Sequence, residues 1–144
     1  MLFDTSVNDK DTRQSIKSSV GRPYNLVDMM FRGVGNIGCS RMEVTAYSKL
    51  FNAIMQKKKQ AVFANIALRP KGLIVVLSIR TSNYSWVIPF HYLSVFKTKE
   101  LVIHGQGEYL KFKLLGDQNK QFISKILKLQ EAYNQQGYYG GIEV

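Results

Sequence analysis

Cysteine is nearly absent from this chain, with Cys39 the single example, and histidine occurs only as His91 and His104. One cysteine excludes an intramolecular disulfide and fits a reducing compartment. Two histidines, one cysteine and scattered acids supply no ligand set at zinc spacing. General acid–base catalysis usually draws on a histidine or a carboxylate pair beside a nucleophile. Here Glu100, Glu108 and Asp117 stand singly at or near turns, where solvated charges belong. These absences point away from an enzyme, a metal site or a resident cofactor. Long apolar runs are missing too. The longest, Leu73–Leu77 continued by Ser78 and Ile79, has the length of a strand and falls far short of the roughly 20 residues that cross a bilayer. The N-terminal MLFDTSVNDKDTRQS has early acids and no apolar stretch, so it does not read as a secretory signal. A cytoplasmic address is the expectation.

Acidic residues are also scarce, 10 against 20 Lys and Arg, for a net charge of +10. The excess is uneven: residues 41–128 carry fifteen cations against Glu43, Glu100, Glu108 and Asp117, while both ends are nearly neutral. A basic middle fits an anionic partner, either an anionic membrane surface, an acidic protein or nucleic acid, or serves solubility alone. No helix-turn-helix, zinc or aromatic RNA-binding signature accompanies the charge, so nucleic-acid binding would rest on charge only.

At 144 residues, 45% of them hydrophobic, the chain suits one globular domain. Residues 1–22 are polar and aperiodic and predict a mobile or loosely docked arm. Residues 23–60 predict a helical extension. Tyr24, Leu26, Val27, Met30 and Phe31 cluster at roughly helical spacing after Pro23. Ser40-Arg41-Met42-Glu43 has capping-box spacing, with Thr45 as the other possible cap. Tyr47, Leu50, Phe51, Ile54 and Met55 then form a helical stripe, and Lys57, Lys58 and Lys59 suit a helix C-terminus.

Between the two helical stretches, Gly33–Gly38 satisfies G-x-G-x-x-G. A dinucleotide site would need a strand before it and a carboxylate about twenty residues on. No acid occurs between Glu43 and Glu100, so a glycine-rich turn is the preferred reading.

After Gln60 the period changes to two. Val62–Leu68, Leu73–Arg80, Tyr84–Ile88, Tyr92–Lys97, Leu101–His104 and Tyr109–Leu115 are six strand candidates. Turns at Arg69-Pro70-Lys71-Gly72, Thr81-Ser82-Asn83 and Gly105-Gln106-Gly107 are too short for anything but antiparallel neighbours. The strand at 73–80 is apolar on both faces and so requires cover on both. The N-terminal helical part could supply it, or a second copy of the chain. Tyr84, Trp86 and Ile88, flanked by Phe90 and Tyr92, fit a barrel core better than an exposed recognition patch beside Arg80. A closing helix carries Phe122, Ile126, Leu129 and Tyr133 on one stripe, and residues 136–144 form a frayed tail.

Over about residues 61–133 the chain resembles bacterial pleckstrin-homology and GRAM-type domains. The resemblance lies in IALRPKGLIVVLSIR (Ile66–Arg80), SWVIPFHYLSVFK (Ser85–Lys97), with its step through Ile88-Pro89-Phe90, and QFISKILKLQEAY (Gln121–Tyr133). It implies a mostly β fold of the α+β class. A pleckstrin-homology-like antiparallel barrel of six to seven strands over 61–135 would be capped by the C-terminal helix and preceded by the helical extension. It implies a non-enzymatic binding or scaffolding module. It further implies phosphate contacts around the loop joining the first two strands, here Arg69 and Lys71 with Arg80. Val62–Leu68 lacks the basic string of lipid-binding relatives. With Lys57, Lys58 and Lys59 these residues are the expected anion-binding set. Nucleic-acid binding through the same charge and structural self-association are the alternatives.

Overall fold

A computed structural model describes residues 1–25 and 38–143. Eight strands form one antiparallel sheet: β1 (Leu2–Asp4), β2 (Met42–Tyr47), β3 (Phe63–Arg69), β4 (Gly72–Ile79), β5 (Ser82–Pro89), β6 (Leu93–Lys97), β7 (Glu100–Gly105) and β8 (Glu108–Lys113). Among the described residues three α-helices accompany them, α1 (Lys10–Val20), the single turn α2 (Asn52–Met55) and α3 (Lys120–Glu143). The spatial order is β1-β5-β4-β3-β2-β8-β7-β6. Strands β2–β5 make one meander and β6–β8 another, and β2 joins them by pairing with β3 on one side and β8 on the other. The sheet is not closed; β1 and β6 are its edges.

All six strand candidates become β3–β8. Alternation explains this directly: Ala64, Ile66 and Leu68 of β3, Leu73, Val75, Leu77 and Ile79 of β4, and Tyr84, Trp86 and Ile88 of β5 point into one core. Leu101 and Ile103 of β7 and Leu110 and Phe112 of β8 enter the same cluster from the other meander. Phe122, Ile123 and Ile126 of α3 close it. Further along α3, Gln130 Nε2 donates to the carbonyls of Phe90 and Leu93, and Tyr133 packs on Phe90 with ring centroids 5.7 Å apart. The aromatics of β5 are thus core, with Tyr92 alone of that group exposed.

Three expectations are corrected. Residues 1–22 are docked, not an arm: β1 pairs with β5, and α1 lays Ile16 and Val20 on Ile74 and Val87. This is the cover that the outer face of β4 requires, and it comes from a segment polar enough to hide its short apolar stripe. Asp9 caps α1 by accepting from the Asp11 N–H. Second, the helix read over residues 40–59 is a strand followed by two short helical turns. Met42, Val44 and Tyr47 sit in β2, whose register shifts between Val44 and Ala46, and a 3-10 turn (Lys49–Phe51) leads into α2. Pairing on both sides of β2 outweighs the local helical pattern, although Phe51, Ile54 and Met55 still reach the core as that pattern required. Third, α3 runs on through Glu143, past the expected frayed tail. The apolar cluster at Leu26–Phe31 and most of the Gly33–Gly38 motif lie outside the described residues. Gly38 itself bridges to Ala67 of β3.

Candidate functional site

The connection from β2 to β3 returns beside the β4–β5 turn, and together they build a basic cleft at one end of the sheet. Arg41, Lys58, Lys59 and Arg80 line it, with Phe63 and Ile79 as its apolar wall and a volume of about 430 Å³. Among the described residues no carboxylate lines it. The backbone explains each position. Arg41 immediately precedes β2 and lays its guanidinium over the Phe63 ring, 4.5 Å from the centroid, a placement that holds the charge at the surface and orients it. Lys58 follows α2 and sits 5.7 Å from the Tyr47 ring centroid. Lys58 N–H and Lys57 N–H donate back to Met55 and Ile54 carbonyls, so the lysine run is fixed by the end of α2 and by the core residues of that turn.

Arg80 opens the two-residue turn between β4 and β5 with φ of 58°. A left-handed conformation costs a side-chain-bearing residue roughly 1–2 kcal/mol that glycine avoids. Strain of this kind concentrates at functional positions.

The structure brings Lys58, Lys59 and Arg80 together as a set and separates them from Arg69 and Lys71. The latter pair lies at the opposite end of β3 and β4, about 20 Å away along the seven-residue β3. The cause is β2: it precedes the strand read as first, so the Pro70–Lys71 turn is the second connection of the meander, not the first. Arg69 also has structural work. It is half-buried, donates from Nη1 to the Gly21 carbonyl at 2.8 Å, and burial pushes its guanidinium below the ordinary arginine value. Lys57 turns away from the cleft and donates to the Tyr84 hydroxyl at 3.0 Å, a bond that raises its ammonium above the ordinary value. Arg41 went unrecognised because it fell inside a capping-box pattern. The alternation Met42, Val44 against Glu43, Thr45 was the available signal.

Other chemistry-bearing residues have packing or tethering roles. Glu108 accepts from the Ser48 hydroxyl and from the Leu50 N–H, and Glu100 accepts from the Thr45 hydroxyl at 2.6 Å. Both acids tie the second meander to β2 and the turn after it. Among the described residues no three of His, Cys, Asp and Glu come together in a way that would hold a metal. Cys39 is partly buried, its Sγ accepts from the Ile66 N–H at 3.2 Å, and burial raises its thiol above the ordinary value. A raised value leaves less thiolate near neutral pH. Cys39 is therefore expected to react with a disulfide reagent at pH 7.5 at least about tenfold more slowly than in the denatured chain. Equal rates in the two states would show that the thiol is accessible and unshifted.

Compared with known proteins, the chain matches no family model, no curated protein and no solved structure. Among the described residues no helix is long and apolar enough to cross a membrane.

Proposed function

We propose that this protein is a non-enzymatic binding module on a pleckstrin-homology-like scaffold, and that it captures anionic groups at a membrane surface with Arg41, Lys58, Lys59 and Arg80. The observation that carries the reading is the convergence of four exposed cations from three separate segments on one cleft that, among the described residues, has no carboxylate. Support for the scaffold comes from the order of elements: a four-strand meander, a three-strand meander joined to it through β2 and β8, and a C-terminal helix packed over the core. A rigid sheet presenting a charged loop fits recognition by electrostatics and hydrogen bonding, with no covalent step. Self-association through the outer face of β4 loses its main support, because α1 covers that face within the chain.

The test is co-sedimentation with phosphatidylcholine vesicles, with and without phosphatidylserine, at low and high salt and with DNA as competitor. The protein is expected to follow the anionic vesicles at low salt and to stay on them when DNA is added. A Lys near an anionic surface contributes about 1 kcal/mol, so Lys58→Gln with Lys59→Gln should weaken retention by about thirtyfold. Both side chains are exposed, so thermal stability should hold. Displacement by DNA with a steep salt dependence would favour the nucleic-acid reading. Unchanged retention of the double variant would remove the cleft as the contact.

A further inference from the structure

At the far end of β3 and β4 a second cavity, of about 350 Å³, lies between α1 and the turn that follows it. Lys10, Arg13 and Lys17 line it from one stripe of α1, Arg22 from the turn after the helix, and Arg69 from the end of β3. Among the described residues five cations and no carboxylate converge there. Solvation of a helix face accounts poorly for that pattern. The negative end of the helix dipole favours Lys17, in the last turn, but Lys10 and Arg13 sit toward the positive end, where cations are disfavoured. Arg13 and Lys17, four residues apart, also repel one another. The oxygens of Asp9 accept from the Thr12 hydroxyl and the Asp11 N–H, and these bonds, with a smaller contribution from Arg13, hold its carboxyl below the ordinary value.

The corner holding these charges is built rigidly. Gly21, with φ of 90°, turns the chain at the end of α1, and a side chain there would press on Pro70. The Lys71 N–H donates to the Val20 carbonyl at 2.8 Å, and the Arg69 guanidinium donates to the Gly21 carbonyl. That bond uses one of the five N–H donors of Arg69 and fixes the side chain, half-buried, at the cavity wall. Cations gathered around a concave site of small-molecule size, with one guanidinium fixed at its wall, suit a compact ligand more than a broad surface. Guanidinium groups add bidentate geometry for phosphate oxygens.

We propose that this cavity is a second anion site, independent of the cleft at the other end of the sheet, which binds a compact solute carrying linked phosphate groups through Arg13, Lys17, Arg22 and Arg69. Several cations around one cavity match the concentrated charge of a diphosphate better than that of a single phosphate.

Titration calorimetry on the full chain with inorganic pyrophosphate at low salt, beside orthophosphate and sulfate at equal ionic strength, tests this. The expected result is one pyrophosphate per chain at this site, bound at least about tenfold tighter than orthophosphate or sulfate. Arg13→Gln with Lys17→Gln should weaken pyrophosphate at least about tenfold, and Lys58→Gln with Lys59→Gln should change it less than about twofold. Arg22→Gln lies outside the helix and should also weaken binding, so a folding defect in α1 cannot imitate the result. Pyrophosphate binding that survives the α1 and Arg22 variants, or that only the Lys58 and Lys59 variant removes, would overturn the proposal. So would vesicle retention that depends on Arg13 and Lys17 without any pyrophosphate binding, since the phosphate would then be a lipid headgroup.

Discussion

Trp86→Ala is expected to destabilise the protein by about 3–5 kcal/mol, read as a shift of the urea midpoint with little change in slope. Trp86 is 1% exposed on β5, opposite Val75 of β4 and Leu2 of β1, and its ring meets Phe51 edge-to-face at 5.1 Å. A domain of this size has about 5–15 kcal/mol in total, so the variant approaches the limit of folding. Phe51 sits in the 3-10 turn just ahead of α2 and so pins the start of the loop that carries Lys58 and Lys59. A cycle with Phe51→Leu should return a coupling of about 0.5–1.5 kcal/mol for the aromatic pair. The conservative Trp86→Phe variant should recover much of the stability. If instead Trp86→Ala unfolds at the wild-type midpoint and loses only ligand binding, the ring belongs to a recognition surface and the core described above is wrong.

The segments that were legible are those where local pattern and long-range pairing agree. Strands β3 to β8 are short apolar segments set off by turn residues, Ile66 of β3 and Phe112 of β8 fall on the inward face by alternation, and α3 carries its own apolar stripe. The beginning of the chain was not legible for two different reasons. Strand β1 offers only Leu2 and Phe3, and α1 buries only Ile16 and Val20, so each depends on a partner strand more than sixty residues away. Strand β2 carries a bulge, which breaks the alternation of Met42 and Val44 just where Tyr47 begins a helical spacing with Leu50 and Phe51. The candidate site inherits these errors. Lys58, Lys59 and Arg80 are evident as cations. Their grouping with Arg41 and not with Arg69 follows from which strand comes first, a property of sheet order that residues 61–72 do not contain.

Gly72→Ala is expected to destabilise the protein by about 1–3 kcal/mol, from one added methyl group. Gly72 opens β4 opposite Pro89, and a Cβ placed there would lie 2.3 Å from the Ile88 carbonyl oxygen, 2.6 Å from Val20 Cγ1 and 2.9 Å from Pro89 Cα. Two of the three obstacles are backbone of β5, which can move only by disturbing the β4–β5 pairing; the third is the last apolar residue of α1, which is fully buried. Relief therefore has to come partly from α1. In urea unfolding, Val20→Ala should cost less in the Gly72→Ala background than alone, because the shorter side chain removes one of the clashes. Additive costs would mean that the strain is taken up entirely between β4 and β5. Displacement of α1 carries a functional consequence as well, since the Val20 carbonyl receives the Lys71 N–H and the Gly21 carbonyl receives Arg69. Gly72→Ala should accordingly weaken pyrophosphate binding at the α1 cavity while sparing vesicle retention by Lys58 and Lys59 at the other end of the sheet. An equal loss at both ends would trace the defect to the sheet and not to the seating of the helix.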